Sequence, residues 1–260
     1  MKERSGENKK VFLLIDADSI LWSACTCRKG SEDDTHGDQM IHDLDMAEHK
    51  FEEVLFSHIN NLTENFNFTS IGYILFIEGE GNFRYDIDPL YKIKRKEKPE
   101  PVLLQKVKNF AIRTQPCFLS HNVETDDSVI STYLLYKDQV NIVILSMDKD
   151  IKTFPVVVYD YYHNKRELLV ISEEQARKNF WMQMLVGDTA DSIIGVSGIG
   201  EVKANKILKE CKSEFSFMRT VYKTYIKKYR CKGKRLFLKN YGLLKLRTTN
   251  IKTPNLHEYI

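Results

Sequence analysis

Four short apolar runs divide this chain: VFLLID (11–16), IGYILFIEG (71–79), NIVILSMD (141–148) and PVVVYDYY (155–162). Continuous β-branched and aliphatic runs of this length suit strands buried on both faces of a parallel sheet. Helical spacing fills the gaps. Ile41, Leu44, Phe51, Leu55, His58 and Leu62 recur every three or four residues over 38–62, and Leu103, Val107 and Phe110 do so before the third run. Thr125 is placed to cap a helix over 126–137. Strands alternating with helices predict an α/β domain with a mostly parallel central sheet and helices on both faces. Beyond about residue 170 the strand signal stops. Ser172 caps a predicted helix, a glycine-rich turn follows, and basic helices run to about 246. The expected division is residues 1–170 and 171–260.

Composition narrows the class. With 42% hydrophobic and 29% charged residues the chain carries a real core and is not of the disordered type. No window approaches the length of a membrane span. The first apolar run ends in aspartate without a cleavage site, so a signal peptide is not expected. Five scattered cysteines fit reduced thiols in a cytoplasm rather than a disulfide framework or zinc ribbon. The net charge of +3 conceals strong local bias. Residues 28–53 hold nine acids against three bases, 91–113 eight bases against two acids, and 201–247 fifteen bases against three acids. Two basic segments beside clustered carboxylates point to a polyanion held against a metal site.

The acids fall at strand ends. Asp16 and Glu78 end the first two runs; Asp148 ends the third, with Asp150 two residues on. Ligands bind at the C-terminal strand edge of a doubly wound sheet. Glu124, Asp126 and Asp127 open a predicted helix, and Asp188 and Asp191 sit three apart in GDTAD. Nine carboxylates in one cleft would repel each other unless hard cations neutralised them, and oxygen-only ligands select magnesium, manganese or calcium over zinc. His36, His42 and His49 lie on an acidic, exposed segment and read as solvated rather than as ligands.

In order along the chain, these motifs resemble the 5′-nuclease family: flap endonucleases, phage 5′–3′ exonucleases and the 5′-nuclease domain of bacterial DNA polymerase I. FLLIDADSILW (12–22) is similar to the family's first strand, and LFIEGEGNFRYDIDPLYKIKR (75–95) to its segment with a metal acid, an arginine and Y-K-x-x-R. VETDDSVIS (123–131) resembles G-x-E-A-D-D, and SMDKD (146–150) resembles S-x-D-x-D. VGDTADSIIGVSGIGEVKANKIL (186–208) resembles a G-D-x-x-D turn running into a helix-hairpin-helix. LKNYGLLKLRT (238–248) is more weakly similar.

The resemblance implies a PIN-like fold with a helical, helix-hairpin-helix C-terminal part and two or more Mg2+ or Mn2+ ions. Asp16, Glu78, Glu124, Asp126 and Asp148 would form the tighter site, with Asp127, Asp150, Asp188 and Asp191 around the second. Arg84, Lys92 and Arg95 would steady the scissile phosphate, with Tyr91 stacking on an end base and Lys94 in the same basic lid, 91–98. Gly198 and Gly200 would let the hairpin approach a phosphate, a potassium ion would sit near Val196 and Ile199, and Lys203 would contact the duplex. The chain departs from the family in three places. Glu78 stands where aspartate is usual, Ala17-Asp18 replaces glycine and a small polar residue, and the stretch from Lys92 to Glu124 is short for a helical arch. Asp18 is read as a loop cap, and threading through a closed arch is not implied.

The activity implied is a structure-specific, metal-dependent 5′-nuclease acting on branched or 5′-flapped DNA, with RNA–DNA hybrid as a further substrate. It is expected to act as a monomer in the cytoplasm, a host's cytoplasm if the compact, lysine-rich chain is a phage protein, and without an attached polymerase. Two alternatives stand beside it. A haloacid-dehalogenase-type phosphatase would use Asp16 as nucleophile and Asp18 as acid. A non-catalytic junction-binding protein would keep the fold alone.

Overall fold

The computed structural model describes residues 9–27, 39–96, 99–161 and 166–259. His36, in the acidic segment 28–53, and residues 97–98 of the basic run 91–98 lie outside them. In chain order the strands are β1 (Lys9–Asp16), β2 (Thr26–Cys27), β3 (Gln39–Met40), β4 (Phe68–Glu78), β5 (Cys117–Ser120), β6 (Ile142–Leu145), β7 (Val157–Asp160), β8 (Glu167–Val170), β9 (Gly187–Asp188) and β10 (Ile193–Ile194). The helices are α1 (Asp18–Ala24), α2 (Leu44–Asn65), α3 (Arg84–Ile87), α4 (Ile93–Lys96), α5 (Leu104–Thr114), α6 (Thr125–Tyr136), α7 (Glu173–Val186), α8 (Glu201–Leu208), α9 (Glu214–Tyr229) and α10 (Gly233–Leu244).

The main sheet has six strands in the order β5-β4-β1-β6-β7-β8. All its pairings are parallel except β7 with β8. The continuous apolar runs occupy the centre, because a strand covered on both faces has no side that can stay polar. Alternation then splits each run between two cores. Val11, Leu13 and Ile15 of β1, with Leu75 and Ile77 of β4, face α1, α2 and α5. Phe12 and Leu14, with Ile74 and Phe76, face α6. A third core joins α7, α8, α9 and α10.

Several expectations shift in detail. β5 and β8 extend the sheet beyond the four predicted strands. The second helix starts at Leu44, where Asp43 Oδ1 accepts the Met46 N–H at 3.1 Å, and Gln39–Met40 pairs with β2 instead. Ser172 does cap α7, its Oγ accepting the Gln175 N–H at 3.2 Å. Thr125 is not the cap of α6; that position belongs to Glu124. After Lys245 the chain returns to the sheet, where Leu246 and Leu256 pack into the α6-side core. Among the described residues no helix is long and apolar enough to cross a membrane.

Candidate metal centre

Parallel strands present their C-terminal ends on one edge, so Asp16 and Glu78 close β1 and β4 side by side. Asp148 follows β6 in the loop beyond it. Ser146 ties this edge together: its Oγ donates to Asp16 Oδ2 at 3.0 Å and accepts the Asp148 N–H at 3.0 Å. Asp148 Oδ1 in turn accepts the Asp150 N–H at 2.8 Å. Glu124 and Asp126, at the start of α6, are buried, and Asp126 lies within the electrostatic reach of Asp148.

A second group is tighter. Carboxylate oxygens of Asp150, Asp188 and Asp191 all lie within 4.8 Å of one another, and all three residues are buried. Gly187 makes this possible. Its φ of +83° suits glycine, and a Cβ there would lie 2.3 Å from the Gly195 nitrogen. Gln183 Nε2 donates to Asp150 Oδ1 at 2.5 Å. Ser146 sits inside the S-x-D-x-D motif, but Gln183, on a buried helix face, carries no sequence signal.

Cations of the chain rim these acids. Lys149 Nζ lies 2.9 Å from Asp188 Oδ2, and Arg95 Nη2 lies 2.5 Å from Asp191 Oδ1. Lys92 Nζ pairs with Glu124 Oε1, and its N–H donates to the Asp191 carbonyl at 3.0 Å. The neutralisation is incomplete. Burial, then the charges of Asp18 and Asp148, push Asp16 up to about 8. Burial and neighbouring carboxylates hold Asp126 and Asp150 well above the usual range. Glu124 goes the other way, since Lys92 and Arg84 outweigh its burial. An oxygen-only set with surplus negative charge fits hard divalent ions.

A pH dependence follows. A carboxyl whose folded pKa is raised keeps a proton on folding that the unfolded chain releases above about pH 4. Metal-free protein therefore loses stability as pH rises from there through the Asp16 value of about 8. Thermal melts in chelator should give a lower Tm at about pH 8 than at about pH 5.5, and Mg2+ should close most of the gap. A Tm that rises with pH would contradict the arrangement.

Two expected site residues face elsewhere. Arg84, 1% exposed, and Asp127, 0% exposed, form a bidentate pair at 2.6 and 3.0 Å. Asp127 also accepts the Glu124 N–H at 3.0 Å and the Arg247 N–H at 2.6 Å. Four bonds fill a carboxylate's acceptor positions, leaving none for a metal. Arg84 Nε donates to the Leu243 carbonyl at 2.8 Å and its Nη1 lies 3.6 Å from Glu124 Oε2, so its buried guanidinium is committed to protein partners behind Glu124. The pair is a strut. It anchors the start of α6 to the C-terminal segment, where the Arg247 guanidinium lies 3.6 Å over the Phe83 ring.

Tyr91 is likewise corrected. It is 2% exposed, and its hydroxyl lies 3.1 Å from both Glu124 Oε2 and Asp191 Oδ2. No ring face is free to stack on a base. Lys94 is exposed. Asp18 binds the Glu78 N–H at 3.0 Å and the Thr125 hydroxyl at 2.5 Å. Both its oxygens are engaged in linking loop ends, which removes the acid that the phosphatase alternative requires.

Near the glycine-rich turn, Gly198 has φ +83° with open space around its Cβ position. Gly200 has φ −97°, which any residue adopts, so its conformation alone does not call for glycine. Lys203 Nζ donates to the Gly198 carbonyl at 2.9 Å. Val196 is buried, and its carbonyl accepts the Ile199 N–H at 2.9 Å.

No family model matches the chain. It is 26% identical over 231 residues to the 5′-3′ exonuclease of Mycoplasmopsis pulmonis, covering 81% of this chain and 70% of that protein. The structure of T5 5′-exonuclease with divalent zinc ions bound superposes with a TM-score of 0.65 at 17% identity, over 92% of this chain and 90% of that one. The bacteriophage T5 flap endonuclease, in a pseudo-enzyme–product complex with DNA and metal ions, gives 0.64 at 16% identity, over 90% and 89%. The fold is that of T5 5′-exonuclease, and with the order of the acids along the chain and the likeness in sequence it supports the resemblance to the 5′-nuclease family.

Proposed function

We propose that this chain is a structure-specific, divalent-metal-dependent 5′-nuclease, acting as flap endonuclease and 5′–3′ exonuclease on DNA near single-strand/double-strand junctions. RNA primers in RNA–DNA hybrid are a further substrate. The observation that carries the reading is the convergence of Asp150, Asp188 and Asp191, acids brought together by the fold, beside the strand-end acids Asp16, Glu78 and Asp148.

Mg2+ or Mn2+ is the proposed cofactor. Asp16, Glu78, Glu124, Asp126 and Asp148 would hold one ion, and Asp150, Asp188 and Asp191 the other. Bound ions would supply a water of lowered pKa and positive charge against the leaving oxygen. Lys92 and Arg95 now sit on Glu124 and Asp191. With those acids neutralised, the two side chains are free to turn onto the scissile phosphate, Arg95 as a planar fork and Lys92 as a point charge. Lys94 lies on the same lid.

Residues 1–170 act as the catalytic part and 171–260 as the duplex-binding part, apart from the tail that returns to the sheet. Residues 187–208 form a helix-hairpin-helix, with potassium on the carbonyls near Val196 and Ile199. Backbone contacts of this kind carry no base sequence, so selectivity is for junction shape. A monomer working in the cytoplasm completes the reading, and five free cysteines agree with it.

Gly200→Val tests the hairpin at a small folding cost: the position is open and its φ is ordinary, and only its place as N-cap of α8 disfavours valine. Stability should fall by about 1 kcal/mol or less, whereas duplex affinity should fall roughly tenfold as the branched side chain blocks phosphate approach. Unchanged affinity would remove Gly200 from the contact. The activity itself is tested by mapping products from a labelled 5′-flap duplex. Cuts near the junction leaving 5′-phosphate and 3′-hydroxyl, abolished by chelator, are expected. Tight binding without cleavage would favour the junction-binding alternative.

A further inference from the structure

The α9–α10 hairpin ends in a concentration of charge that the proposed site does not use. Residues 219–235 contain eight bases and no acid. Six of them, Lys227, Lys228, Arg230, Lys232, Lys234 and Arg235, are exposed where α9 gives way to α10. Among the described residues no acid pairs with any of the six. Like charges this close repel one another, so such a tip costs stability unless a polyanion compensates it.

The tip is also built rather than loose. Gly233 starts α10 directly against α9, where a Cβ would lie 2.8 Å from the Tyr225 carbonyl oxygen. Arg230 is held at φ +52° and ψ −123°, a conformation costly for a residue with a side chain. Tyr229 joins the tip to the glycine-rich turn. Its hydroxyl accepts the Ser197 N–H at 2.9 Å and donates to the Gly195 carbonyl at 3.0 Å. Tyr229 lies between Lys228 and Arg230 in sequence, so these contacts fix the base of the tip beside the turn.

From this geometry we propose that the α9–α10 tip is a second phosphate-binding surface, which takes the backbone of duplex DNA beyond the stretch held at residues 195–203. The inference rests on the nuclease reading above. The turn reads the duplex next to the junction, and the tip adds affinity only when the duplex is long enough to reach it. Its contacts are to phosphates, so the added affinity is independent of sequence and steeply dependent on salt.

The test compares wild type with the combined variant Lys227→Gln, Lys228→Gln, Lys232→Gln and Lys234→Gln. Binding is measured on flap substrates of increasing duplex length across a salt series. Wild-type affinity should rise with duplex length and then level off. The variant should lack that rise, bind the longest duplex at least about tenfold more weakly, and show a log Kd against log salt slope shallower by roughly 2 to 4. A variant that keeps the wild-type slope and length dependence overturns the proposal. So does one that loses affinity for single-stranded DNA while keeping its duplex-length dependence. Wild type that neither binds nor cuts flap DNA overturns the nuclease reading, and this inference with it.

Discussion

Asp188→Asn should lower single-turnover flap cleavage by about 10³-fold, on the order of 4 kcal/mol of transition-state stabilisation. Asparagine keeps the size of the side chain and can still accept the Ala190 N–H, which Asp188 Oδ1 now binds at 2.9 Å. What disappears is one negative charge from a three-acid cluster, and Lys149 loses its partner. The local turn should survive, so the loss belongs to the chemistry. Duplex affinity measured with Ca2+ should change less than about threefold, because phosphate contacts by the helical part dominate it. A variant that cuts within tenfold of wild type would mean that the cluster is not part of the reacting centre.

Arg84→Met should destabilise the fold by about 3–5 kcal/mol in urea unfolding, the typical cost of leaving one partner of a buried ion pair uncompensated. Asp127, 0% exposed, would then keep only the Glu124 and Arg247 amides. The double variant Arg84→Met with Asp127→Leu should recover much of this loss, since no stranded charge remains. It should not recover activity, because the start of α6 has lost the bond that sets Glu124. A loss below about 1 kcal/mol for Arg84→Met would show that the pair is no strut.

What the sequence made legible follows from where the physics is local. The apolar runs of β1, β4 and β6 declare themselves because a doubly covered strand has no polar face. Their terminal acids stand out for the same reason, as charges at the end of hydrocarbon. β5 and β8 escape because they are the two edge strands, only half buried along CFLS and ELLV, and gain their strand character by pairing with a neighbour already in place. The division of labour among the acids was not local either. Asp126 and Asp127 are adjacent in sequence, yet one faces the acid group and the other meets Arg84, 43 residues earlier. Only tertiary packing distinguishes them. Tyr91 misled for a related reason. It sits beside a run of lysines that promises exposure, while Glu124 and Asp191 draw its hydroxyl inward.

Everything rests on carboxylates from distant positions holding divalent ions, and counting those ions tests it most directly. Titration of the metal-free protein with Mn2+, followed by the electron paramagnetic resonance signal of free ion, should show two bound per chain. Substituting both Asp188→Asn and Asp191→Asn should leave one. Wild type that binds no Mn2+ at millimolar concentration, or a variant that still binds two, would contradict the account.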